Sequence, residues 1–279
     1  MLKTALLCLL LCFASLSRAA LPFESAHALV VDEASGEVLL EKDAATAAPI
    51  ASMTKLLTAM VVLDAHLAPD DTIRIDKADL DTLKHTHSGV PVGASFPRRT
   101  LLQLALMASD NHAAAALART FPGGREAFLA ATKTKIAELK LEDTTLEDPT
   151  GLSPNNHATA QDMVKILKAA STYPEIAQAT SQSSQAIKVN GRSRVFHNTN
   201  RLVGKPGWDI MLSKTGFTNE AGRCLTMRLQ SAGRNILVVL MGAMATSERT
   251  LDALNIQRWL GGQQPVASLP SPRRAARRA

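Results

Sequence analysis

Serines and lysines recur in this chain at spacings that suit acyl transfer. Ser52-Met53-Thr54-Lys55 places an amine three residues after a hydroxyl, so that on a helix the two share a face. Ser109-Asp110-Asn111 and Lys214-Thr215-Gly216 follow in that order. Attack on an amide by a serine needs a nucleophile, a base, a proton donor for the departing amine and donors for the oxyanion. Ser52 is the candidate nucleophile. Lys55 is the candidate base, which requires burial and a neighbouring cation, with Lys214 the candidate, to keep it neutral part of the time. Ser109 can relay a proton to the leaving nitrogen. Asn111 can orient Lys55 and hold the substrate amide, and Thr215 can bond a substrate carboxylate or carbonyl. Gly216 can leave room for a substrate lying along a strand edge. The backbone N–H groups of Ser52 and Phe217 are the candidate oxyanion donors. Each string alone is weak, since S-D-N commonly caps a helix and a lone helix lysine is usually solvated. The ordered set carries the reading.

The elements that must position these residues can be read from periodicity. Residues 28–31, a turn over 32–36 and residues 38–40 form a hairpin. Pro49-Ile50-Ala51 leads into a helix whose apolar residues Leu56, Leu57, Met60, Val61 and Leu63 repeat at helical spacing. Ser52 stands at its start, where free N–H groups and the dipole favour developing negative charge. Residues 71–96 are polar and read as loops and short strands. Helices are expected over 100–107, 112–119, 123–139 and 159–170, with Thr159 capping the last. Residues 210–214, 224–229 and 235–241 are strands, and 247–260 is a closing helix. This layout predicts an α+β fold, a five-stranded antiparallel sheet with a helical lobe, in a single domain over residues 20–262.

Charge and composition narrow the partners. The formal net charge is +6, but Lys3 and Arg18 lie in the first segment and Arg273, Arg274, Arg277 and Arg278 at the end, so the body between is neutral. With 4% aromatics and no basic-aromatic pattern, nucleic acid is excluded as a partner. Lys3, the short apolar run 5–14 and Ser17-Arg18-Ala19 predict a secretion signal over 1–19, cleaved after Ala19 or Ala20. Neither Cys8 nor Cys12 has the preceding small residue of a lipoprotein site, so no lipid anchor is expected. Cleavage leaves Cys224 alone, so the mature chain has no disulfide and must rely on its core. Cys224 reads as a small core residue. Residues 263–279 are expected to be a disordered Arg-rich tail, able at most to touch an anionic envelope surface weakly. The mature protein is therefore expected in the periplasm.

The S-x-x-K, S-D-N, K-T-G triple resembles that of penicillin-binding proteins of low molecular mass, in the D-alanyl-D-alanine peptidase family. The similarity runs from about residue 28 to 260. It includes Pro49-Ile50-Ala51, the run from Glu147 through Asp148-Pro149-Thr150-Gly151-Leu152 to Ser153, and the stretch from Phe217 to Gly222. The resemblance implies a β-lactamase/transpeptidase-like fold, peptidoglycan peptide stems as substrate, β-lactams as covalent inhibitors through an acyl-enzyme on Ser52, and no cofactor or metal. The long carboxypeptidases of the family have a second β-rich domain and an amphipathic anchor, which are not expected here. His197-Asn198-Thr199-Asn200 resembles the short D-alanyl-D-alanine endopeptidases. Carboxypeptidase members carry an Arg near the Thr199 position that grips a terminal carboxylate, and a cross-link is expected to offer none beside the cleaved bond. Endopeptidase is thus expected over carboxypeptidase.

Three other classes are weaker. A class A β-lactamase needs a water-activating carboxylate, and the chain has no E-x-x-L-N string. A non-catalytic cell-wall-binding protein would not need every catalytic residue. A metallopeptidase would have to use His85 and His87, two imidazoles on one strand face, but no third ligand is placed beside them, and the neighbouring Lys84 and Ser88 suggest a solvated loop instead.

Overall fold

The computed structural model describes residues 23–265. The expected signal segment and the Arg-rich end of the tail lie outside the described residues. In chain order the elements are β1 (His27–Asp32), β2 (Val38–Lys42), β3 (Ala48–Pro49), α1 (Lys55–Asp64), β4 (Thr72–Arg74), β5 (Ser95–Pro97), α2 (Arg98–Met107), α3 (Asn111–Arg119) and α4 (Gly124–Glu138). There follow β6 (His157–Ala158), α5 (Ala160–Ala170), α6 (Pro174–Ser181), β7 (Ser184–Val189), β8 (Arg192–His197), β9 (Asp209–Thr218), β10 (Gly222–Ser231), β11 (Arg234–Ala243) and α7 (Thr246–Leu260).

The main sheet has five antiparallel strands in the order β2-β1-β11-β10-β9, as the sequence predicts. Its first and last parts come from opposite ends of the chain, with His27 opposite Met241 and Asp32 opposite Ile236. The central strands are apolar on both faces rather than alternating. From Ile236 to Met241 every residue is buried, because a layer covers each face. Leu237, Val239 and Met241 pack into the helical lobe, while Ile236, Val238 and Leu240 pack with Ala253 and Ile256 of α7. β9 is an edge strand, and it carries Lys214, Thr215 and Gly216.

At the centre of the helical lobe runs α1. Residues 55–62 are all buried, so the helix is enclosed all round rather than on one stripe. Lys55, the first residue of this helix, is 1% exposed. Thr159 caps α5 as expected, accepting from the Asp162 amide at 3.0 Å.

Periodicity alone does not reveal two elements. α6 begins with Pro174 at its first position, which favours a helix start. The β7–β8 hairpin turns on Asn190-Gly191, with φ of 48° and 80°. The Asn-Gly pair is the sequence signal for that turn, but β8 exposes every side chain except Phe196, so no alternation marks it. His85-Thr86-His87 is not a strand, in keeping with the solvated run that Lys84 and Ser88 suggest. It lies in an irregular loop with His85 at φ 51°, and no group of three or more His, Cys, Asp or Glu among the described residues could hold a metal.

One close approach joins the layers at Ser52. Gly151 has φ 85°, and a Cβ there would stand 1.9 Å from the carbonyl oxygen of Ala51. Gly151→Ala combines left-handed strain with a backbone clash. We expect it to destabilise the fold by more than the ~1 kcal/mol of conformational strain alone, and to slow acylation of Ser52 by penicillin at least tenfold. A variant that melts and labels like the parent would show that the loop moves freely against Ser52.

Candidate active site

A short 3₁₀ turn, Ala51–Thr54, precedes α1 and carries Ser52. Ala51 has φ 46°, a strained value for a residue with a side chain. The next turn of helix brings Nζ of Lys55 to 2.8 Å from Oγ of Ser52. Lys55 also donates to Oδ1 of Asn111 at 2.7 Å and to the Thr150 carbonyl at 2.7 Å. No carboxylate lies within ion-pair distance of it among the described residues. Burial therefore dominates, and it pulls the Lys55 amine down to about 7, against a weaker upward pull from Asp148, Asp110 and Asp81. In the neutral form two N–H bonds go to Asn111 and Thr150, and the lone pair is left for the Ser52 hydroxyl. That is the arrangement of a general base.

The Ser109-Asp110-Asn111 string divides its side chains. Ser109 sits at φ 59°, and its Oγ accepts from Nζ of Lys214 at 2.8 Å. Asp110 caps α3 through the Ala113 amide and also binds the Ser88 hydroxyl and the Gly89 amide. Asn111 accepts from Lys55 and donates to Oγ1 of Thr86 at 2.7 Å. Of the His85-Thr86-His87 run, it is thus the threonine that reaches the site.

Lys214 on β9 is 1% exposed and donates to Ser109 and to the Thr215 carbonyl. Burial pushes its amine well below the usual lysine range, and the charges of Lys55 and Arg249 push it further. Burial is the main cause at both amines, and repulsion between the two ammoniums adds to it. Thr215 donates to Oγ1 of Thr199 at 2.7 Å. Gly216 meets a constraint within the protein too. A Cβ there would meet the Ile50 carbonyl at 2.8 Å and the Ser52 nitrogen at 3.3 Å. The glycine lets β9 press against the serine turn. That contact brings the Ser52 amide beside the edge strand.

Sequence reading missed the loop that serves Lys55. Asp148 accepts from the amides of Thr150 at 2.6 Å, Gly151 at 2.9 Å and Ser153 at 2.8 Å, and from the Thr150 hydroxyl. This winds the loop so that the Thr150 carbonyl points at Lys55 and the Pro149 carbonyl takes the Thr58 hydroxyl. Asn156 pins it to Thr54 and to Asp148's own backbone. Glu147 accepts from Ser153 and Asn155 within the same loop, so its carboxylate is committed to structure. A carbonyl has no sequence signature, but Asp-Pro-Thr-Gly is turn chemistry that could have flagged the loop. Cys224 is buried as expected, with its thiol pushed up to about 11.

A cleft of about 540 Å³ opens beside Ser52 and Ser109 and crosses the edge strand past Thr215 and Phe217 to Arg223 and Arg249. A serine beside a buried, carboxylate-free lysine, with an edge strand alongside, defines a serine acyl-transfer site. The chain belongs to the D-alanyl-D-alanine carboxypeptidase family of peptidases, which it matches over residues 15–245. It is 39% identical over 266 residues to a D-alanyl-D-alanine endopeptidase of Pseudomonas aeruginosa, covering 93% of this chain and 86% of the relative. It is also 39% identical over 246 residues to a D-alanyl-D-alanine endopeptidase of Escherichia coli K12, covering 87% and 79%. The fold matches the crystal structure of the Streptomyces K15 DD-transpeptidase with a TM-score of 0.79 at 24% identity, covering 87% of this chain and 99% of that one.

Because the base must be neutral to act, acylation of Ser52 should rise with pH through about 7, where Lys55 loses its proton. Lys55→Arg keeps the charge but cannot deprotonate, and should acylate at least about 100-fold more slowly. Stopped-flow measurement with a fluorescent penicillin reads both. A flat pH profile, or an Arg variant within a few-fold of the parent, would place the base elsewhere.

Proposed function

We propose that this enzyme is a D-alanyl-D-alanine endopeptidase that hydrolyses the D-alanyl–diaminopimelyl bond of peptidoglycan cross-links. Ser52 attacks the D-alanyl carbonyl while Lys55 takes its proton. The amides of Ser52 and Phe217 hold the oxyanion, and Ser109 passes a proton from the Lys214 side to the leaving amine. Water then releases the stem from the acyl-enzyme. The observation that supports the substrate is that the two relatives at 39% identity are endopeptidases, whereas D-alanyl-D-alanine carboxypeptidases stand at 30% and 33%, beside a third endopeptidase at 31%.

Thr199 has a different role from the expected one. The diaminopimelyl amine that leaves a cross-link carries a carboxylate on the same carbon, as terminal D-alanine does. Thr199 therefore does not signal a missing carboxylate. Its hydroxyl orients Thr215, and Arg249 supplies cationic charge to that end of the cleft. The expected preference comes from the rest of the leaving stem. We expect kcat/KM for a purified cross-linked muropeptide dimer to exceed that for the free pentapeptide by tenfold or more. A clear preference for the pentapeptide would make the enzyme a carboxypeptidase.

Export completes the reading. We infer that residues 1–19 are removed and that the mature enzyme works in the periplasm on the cell wall and thereby on cell shape. No helix among the described residues is long and apolar enough to cross a membrane. Any envelope-bound fraction held by the arginines of the tail should be released by high salt, because screening removes that attraction. A fraction that only detergent releases would contradict this.

A further inference from the structure

The far end of the cleft holds more positive charge than one carboxylate can answer. Arg201, Arg223 and Arg249 all line it, and no Asp or Glu does. None of the three forms an ion pair among the described residues. Arg249 is 8% exposed and lies in the first turn of α7, the end of a helix that disfavours a cation. One of its nitrogens donates to the Cys224 carbonyl at 3.0 Å. Its Nε is buried without a partner.

Arg223 is built in separately. It stands opposite Phe217 in the β9–β10 register, and a β-bulge against β11 falls between Arg223 and Leu225, the kind of irregularity that re-aims a side chain. Its guanidinium lies 3.4 Å over the Phe217 ring, which is 47% exposed. Stacking fixes the plane and leaves the donor edge open. Its Nε too is buried and unpartnered. Arg201 is exposed, lines the same cleft and stands two residues from Thr199. Partly buried guanidinium nitrogens without partners are costly alone and favourable with anions.

We propose that Arg223, with Arg201 of the same cleft lining, forms a second anion subsite that takes a further carboxylate of the leaving peptide, beyond the one beside the scissile bond at Thr215 and Arg249. This deepens the proposed function and rests on its direction of binding, in which the leaving amine lies on the Ser109 and Thr215 side. D-Alanine as a leaving group brings one carboxylate and fills only the first position. A leaving stem brings others of its own, so the subsite selects a stem over a single residue. The arginines act in binding and touch no reacting atom.

The test uses two acyl-D-alanyl substrates that differ only in the leaving residue, D-alanine or D-2-aminoadipate, the second adding one carboxylate. The parent enzyme should favour the aminoadipyl substrate in kcat/KM by about tenfold, the worth of one charge-assisted pair. Arg223→Gln should bring that ratio close to one, Arg201→Gln should lower it partly, and Arg223→Lys should keep part of it. Partial misfolding cancels in the ratio. A ratio unchanged in Arg223→Gln, or a parent enzyme indifferent to the extra carboxylate, would overturn the subsite. Neither substrate is cross-linked, so this outcome is independent of whether the enzyme cleaves muropeptide dimers.

Discussion

The structure turns on burying one amine without an acid to neutralise it. Lys55 opens a helix that is enclosed on all sides, and its Nζ meets only a hydroxyl, a side-chain amide and a backbone carbonyl. A drop from 10.5 to about 7 means that the charged form is disfavoured by roughly 5 kcal/mol. The sign follows from linkage. The unfolded chain binds the proton more tightly, so this group makes the fold more stable as pH rises from about 7 to 10.5, and below about 7 its cost is constant. The fold accepts that cost because an ion pair in place of Asn111 and Thr150 would hold Lys55 charged and useless as a base.

Several distant features exist to keep that environment. Asp148 gathers three amides and a hydroxyl so that one carbonyl can face Lys55. Gly151 and Gly216 are the two positions where the loop and the edge strand press on the serine turn too closely for a side chain. Ser109 accepts a strained backbone, which separates its hydroxyl from the capping work of Asp110. A second buried lysine, Lys214, shares the site, and repulsion between the pair allows one of them to be neutral at little further cost. The cleft then changes character, from a centre without carboxylates to an end rich in arginine.

The sheet, its five strands and the helical lobe were legible because their apolar runs are long. The catalytic strings were legible because their side chains do the chemistry. The loop at Asp148 was visible only as a similarity, since its contribution is a carbonyl. Thr86 was hidden between two histidines that drew attention to metal. α6 and the β7–β8 hairpin escaped because they bury little, although Pro174 and Asn190-Gly191 mark their turns. What Gly216 and Lys214 contribute was legible only in part. Both depended on which way a group points and what lies behind it, which spacing along a chain does not contain.

The central claim is that Lys55 is neutral for much of the time near neutral pH. NMR titration of the enzyme carrying ¹³C-labelled lysine, with the Lys55 signal assigned by its loss in Lys55→Arg, measures this directly. The account predicts an inflection near pH 7 for that signal. A Lys55 that stays protonated to about pH 10 would contradict it.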